Sequence, residues 1–139
     1  MTDFQHYHKP DFVAYCQQAV EKYARTYRGV DAVVLATTAG FQIASFASSG
    51  LYNRDKLAAL ASSLFKVGES TVVEACLKNC QSLLLDADNG KVLVFSIRHA
   101  EHSAVLLIKV TEKATLGNLI YSAKKLNQQV ISYLQDNKD

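Results

Sequence analysis

Between residues 82 and 110 the chain holds three short segments that are apolar at every position: 83–85 (LLL), 92–95 (VLVF) and 104–108 (AVLLI). Successive side chains of a strand point to opposite faces, so a strand with no polar position has both faces covered. Strands are therefore expected at 82–86, 91–97 and 103–110, in a sheet with other elements on each side. Asp88-Asn89-Gly90 between the first two is a hairpin signal and makes these neighbours antiparallel. Two further strands are expected at 32–37 and 41–47, meeting at Thr38-Ala39-Gly40. In the second of them, Phe41, Ile43 and Ser45 should share one face and Gln42, Ala44 and Phe46 the other. Residues 48–53 form a polar connection that ends on Asn53, a suitable helix cap.

Three helical patterns supply the covering layers. Over 10–28, Phe12, Cys16, Ala19, Val20, Tyr23 and Tyr27 trace one stripe, with Pro10 suited to the first turn and Gly29 to the stop. Residues 54–79 carry two stripes. One runs Leu57, Leu60, Ala61, Leu64, Gly68, Val72 and Ala75; the other runs Ala58, Phe65, Glu69, Val73, Cys76 and Cys80. That apolar arc is wider than one sheet contact requires, so a second buried surface is expected, with a partner chain its usual source. A last helix begins near the cap Thr115 and keeps Leu116, Leu119, Ile120, Ala123, Leu126, Val130 and Leu134 on one stripe. Its polar end QDNKD is expected to fray. The order helix, two strands, long helix, three strands, helix implies one α/β domain over 1–139, with its core at about 10–135: a three-layer α/β/α sandwich on an antiparallel sheet.

Composition narrows the function classes. Hydrophobic residues make up 49% and charged residues 20%, which fits a globular domain. The net charge of +2 is small, and no basic run exceeds Lys124-Lys125, so nucleic acid is not an expected partner. No apolar run is long enough to span a bilayer, and no signal core precedes the first helix, so a reducing, cytoplasmic setting is expected. Cys16, Cys76 and Cys80 offer no disulfide framework. Cys76 and Cys80, four apart, would share a helical face as a buried, inert pair rather than half of a zinc site. His6, His8, His99 and His102 lack metal-site spacing. Asp86 and Asp88 suit turn chemistry, and Glu69 and Glu74 suit solvation or pairing with Lys66 or Lys78. Tyr15, Tyr23 and Tyr27 should pack while Lys22, Arg25 and Arg28 stay wet. A strand-glycine junction at Gly40 could begin a phosphate loop, but that loop needs further glycines and a following helix, and the residues after Gly40 are strand-like.

The sequence resembles the Roadblock (dynein light chain) superfamily, in particular its bacterial MglB-like regulators of Ras-like GTPases. The resemblance is carried by GVDAVVLATTAGFQIAS (29–45), RDKLAALASSLFKVGES (54–70) and SLLLDADNGKVLVFSI (82–97), then AVLLIKV and ATLGNL in the same order. Relatives usually have Asp-Gly at the first hairpin, where this chain has Ala39-Gly40. The resemblance implies a profilin-like five-stranded antiparallel sheet with the long helix on one face and the two terminal helices on the other. It also implies a homodimer that pairs the long helices and third strands through Phe65, Glu69, Val72, Val73 and Cys76, and through Ser82, Leu83, Leu84 and Leu85. The implied role is a non-enzymatic scaffold or regulator, without a cofactor, that binds a small Ras-like GTPase. Two other classes stay open at the level of sequence: a small-molecule-sensing domain, and a thiol enzyme using Cys76 or Cys80.

Overall fold

The computed structural model describes residues 9–98 and 103–136. The elements are α1 (Pro10–Thr26), β1 (Val30–Thr37), β2 (Gln42–Ala47), α2 (Arg54–Glu74), β3 (Ser82–Ala87), β4 (Gly90–Ile97), β5 (Ala104–Thr111) and α3 (Leu116–Asp136). The strands form one five-stranded sheet in the order β2-β1-β5-β4-β3, antiparallel throughout. The central pairing of β1 with β5 joins strands distant in sequence and leaves β2 and β3 as the two edges.

The apolar runs of β1, β4 and β5 are divided between two cores. Val33, Leu35, Leu93, Phe95, Leu106, Ile108 and Val110 pack with Phe12, Cys16 and Val20 of α1 and Leu126, Val130 and Leu134 of α3. Val34, Ala36, Val94, Val105 and Leu107 alternate with them and pack under Ala58 and Ala61 of α2. This is the expected three-layer sandwich, with α2 alone on one face.

Local signals explain most element ends. Asn53 caps α2, its side chain accepting the Lys56 N–H at 3.0 Å, and Thr115 Oγ1 accepts from the Asn118 N–H at 3.4 Å at the start of α3. At the β1–β2 hairpin Gly40 has φ +94, and a side chain there would stand 3.3 Å from Ala59 Cα. The glycine turns the chain tightly beneath α2; no helix follows it to receive a phosphate.

Four expectations need correction. First, α1 stops at Thr26 with Tyr27 as its cap, and the left-handed Gly29 (φ +88) serves the turn into β1 instead of closing the helix. Second, β2 does not alternate as expected. The pairing steps from Leu35↔Ala44 to Ala36↔Gln42, so Ile43 is an extra residue and joins Ala44 in the same core. Third, α2 ends at Glu74, not 79. Cys76 adopts φ +63, its N–H bonds Val73 O at 3.0 Å, and the Leu77 N–H bonds Val72 O at 2.7 Å. These paired bonds are a Schellman stop with cysteine at the left-handed position. Cys76 and Cys80 thus share no helical face, and Cys76 is exposed while Cys80 is buried. Fourth, the run 83–85 is not covered on both faces, since Leu84 and Leu85 keep 40% and 44% of their surface. The four histidines lie outside the described residues, as do residues 137–139 of the segment expected to fray.

Candidate interaction surface

The exposed apolar surface concentrates on α2 and β3. The buried line of α2 is built from small residues, Ala58, Ala61, Ser62 and Gly68, which let the helix lie close to the sheet. Its larger apolar residues are displaced outward. Leu60, on the first stripe, is 46% exposed, and Val67 and Val73 are 61% and 63% exposed. Leu57, Leu64 and Phe65 pack at the margin of the core with Leu83. The result is a helix anchored by small side chains and flanked by unburied large ones, next to an apolar edge strand.

A polar clamp fixes the chain between them. Glu69 Oε1 accepts from Arg98 Nη2 and, at 2.9 Å, from the Cys80 N–H. Arg98 also donates to Cys80 O at 2.7 Å, a carbonyl shared with Ser96 Oγ at 3.2 Å. The Arg98 guanidinium stands 5.8 Å from the Phe65 ring centroid. The bond from Arg98, with a smaller contribution from the Cys80 N–H, holds the Glu69 carboxyl below its ordinary range. Glu69 therefore pairs neither with Lys66 nor with Lys78 as the spacing suggests, but with a residue at the end of β4. Burial raises the Cys80 thiol and pushes Cys16 up to about 12, the direction opposite to that of an activated nucleophile.

The two sheet edges differ in kind. On β2, Gln17 of α1 reaches the central residue of the strand: its Nε2 donates to Ser45 O at 2.7 Å and its Oε1 accepts from the Ser45 N–H at 3.1 Å. One side-chain amide thus fills the pairing positions that another strand would use. On β3, which packs under α2 through Leu83, the Cys80 thiol lies 3.7 Å from Ser82 O. The open edge is the apolar one.

A second polar site, at the start of α2, was missed by periodicity. Asp31 accepts from Lys109 Nζ at 2.6 Å and from Ser48 Oγ and Tyr52 Oη at 2.7 Å. These bonds, that from Lys109 foremost, hold its carboxyl well below the usual range and raise Lys109. The network ties the connection before α2 to β1 and β5. Its signal in sequence is the charged pair Asp31 and Lys109 standing inside otherwise apolar strands.

The Roadblock/LC7 domain family model matches residues 17–109, more than half of the sequence. The chain belongs to the Roadblock/LC7 domain family. A search of curated protein sequences finds no significant match. Among solved structures, Myxococcus xanthus MglB is similar at TM-score 0.81 and 12% identity, covering 93% of each chain. Thermus thermophilus MglB, a gliding protein, is similar at 0.80 and 14%, covering 92% of this chain and 94% of that one. A Roadblock/LC7 domain from Streptomyces avermitilis is similar at 0.76 and 18%, covering 86% and 97%.

In this Roadblock domain the residues named from sequence lie on α2, just after its end, and on β3, with Leu83 on the α2 face of the sheet and Leu84 on the other, and they differ in accessibility. Val73, Cys76, Ser82, Leu84 and Leu85 are exposed. Phe65, Glu69, Val72 and Leu83 are half-buried. Leu83 packs against the core under α2, and Glu69 is engaged in the clamp. Sequence reasoning missed Val67, Leu77 and Arg98, which border the same surface in the chain; Val67 falls on neither apolar stripe, and Leu77 follows the helix stop. Among the described residues no helix is long and apolar enough to cross a membrane, and no group of three His, Cys, Asp or Glu side chains is placed to share an ion.

Proposed function

We propose that this Roadblock domain is a non-enzymatic homodimeric scaffold in the cytoplasm that binds a small Ras-like GTPase and modulates its nucleotide cycle or its placement. The observation that carries the reading is β3: an edge strand with leucine at 83, 84 and 85, beside a helix that leaves Val67 and Val73 exposed. An apolar edge of this kind is an aggregation hazard unless another chain covers it, and a second copy offers a complementary strand and helix. Phe65, Glu69, Val72, Val73, Cys76 and Ser82 through Leu85 are the residues assigned to that interface. The raised thiol of Cys80, one of the two candidate nucleophiles, speaks against a thiol enzyme at that residue. Phosphoryl chemistry in such a complex would lie on the GTPase, which holds the nucleotide and its metal, and the scaffold would act by ordering the GTPase's own residues. The deciding experiment is a pull-down with the small GTPases of the same organism, each loaded with GDP or with a non-hydrolysable GTP analogue. Retention of at least one in at least one state is expected; no retention in either state overturns the GTPase reading.

A further inference from the structure

At the end of the molecule where α1 finishes and α3 begins, on the sheet face opposite α2, lies a cavity of about 420 Å³. That volume is within the ~300–1,000 Å³ usual for small-molecule sites. Its inner wall is apolar and aromatic: Val110 and Leu119 are buried, and the Tyr23 and Tyr27 rings meet at 4.9 Å with a 41° tilt. Its exposed rim carries Arg28 and Lys113, and neither has an ion-pair partner among the described residues.

The polar groups define which end of a ligand goes where. Ser122 Oγ donates its single hydrogen to Leu119 O at 3.0 Å, so in the 2.7 Å contact with Tyr23 the tyrosine hydroxyl is the donor. The inner polar atoms are therefore committed, and the Tyr23 oxygen is left only as an acceptor, which repels an anion. Negative charge is accommodated at the rim, which carries two cations. A planar carboxylate matches this cationic rim, with Arg28 able to bind both oxygens. We propose that this cavity binds a small monocarboxylate with an apolar body, the carboxylate at Arg28 and Lys113 and the body against Tyr23, Tyr27, Val110 and Leu119. The site needs neither the dimer nor a GTPase.

Calorimetric titration of the intact protein tests this with phenylacetate and octanoate, their uncharged alcohols, and inorganic phosphate. Saturable binding of at least one carboxylate is expected, about tenfold or more tighter than its alcohol, the difference that one charge-assisted contact supplies. Arg28→Ala with Lys113→Ala should bring the carboxylate down to the alcohol's affinity. Asn118→Trp, at an exposed position on the rim, should block both, and circular dichroism confirms that each variant is folded. No carboxylate binding up to ~1 mM, equal binding of acid and alcohol, phosphate binding as tight as the acid's, or full binding by the double variant would each overturn the proposal.

Discussion

Cys76 shows how much a single backbone angle decides. The hydrophobic period runs on through residue 79, yet the helix stops at Glu74 because Cys76 turns left-handed and Leu77 closes the Schellman pair with Val72. Glycine is the usual residue at that position; a side chain there costs roughly 1–2 kcal/mol, part of which glycine's extra freedom in the unfolded chain offsets. Cys76→Gly is therefore expected to raise stability by about 0.5–1 kcal/mol, with Cys76→Ala, which keeps a Cβ at the same angle, giving no such gain. Urea denaturation at a fixed protein concentration checks it, and a destabilised glycine variant would contradict the strain. The stop was illegible because neither glycine nor asparagine marks it. At Asn53 and Thr115, where the cap residue is of the preferred type, the sequence located the helix starts.

Among the elements, the two edge strands carry opposite instructions. β2 is bulged at Ile43 and plugged by the Gln17 amide at Ser45, two features that discourage further pairing. β3 has leucines and an open edge. An assembly that adds a strand at the β3 edge alone closes as a pair instead of growing as an open array. Gln17→Ala frees the Ser45 N–H and C=O while leaving the buried face of α1 intact. Sedimentation velocity should then show species larger than those of the unmodified protein, growing with concentration. An unchanged distribution would mean that Gln17 does not guard the edge. Hairpin reading met the same mixture of success and limit: the loop at 88–90 was legible, but β4 begins at Gly90, and Asp88-Asn89 turns without a positive φ. Gly90 is instead required because a Cβ there would stand 2.4 Å from Val110 O.

For the molecule as a whole, the exposed arc of α2 and the open edge of β3 lie in sequence on either side of one connection, which the Glu69–Arg98 clamp holds to the body. Three hydrogen bonds fix this connection, which lowers the conformational entropy that pairing would cost. Leu84→Asp places a carboxylate at the centre of the proposed strand pair, twice per dimer by symmetry. The expected result is a mass halved from dimer to monomer at micromolar concentration, with the dissociation constant raised about a hundredfold or more, near 3 kcal/mol. A wild-type protein that sediments as a monomer under the same conditions would remove the dimer.

The sequence by itself determined the element order, the three-layer sandwich and the family, because periodicity, capping residues and turn residues act locally and leave local traces. It also exposed a surplus of apolar surface on α2. Only the tertiary structure decided where that surplus lies. Pairing β1 with β5 made edges of β2 and β3, close packing through Ala58, Ala61 and Gly68 pushed Leu60, Val67 and Val73 outward, and Asp31 met Lys109 across 78 positions of chain. Burial and ion pairing depend on distances between residues remote in sequence, and a local pattern carries no record of them.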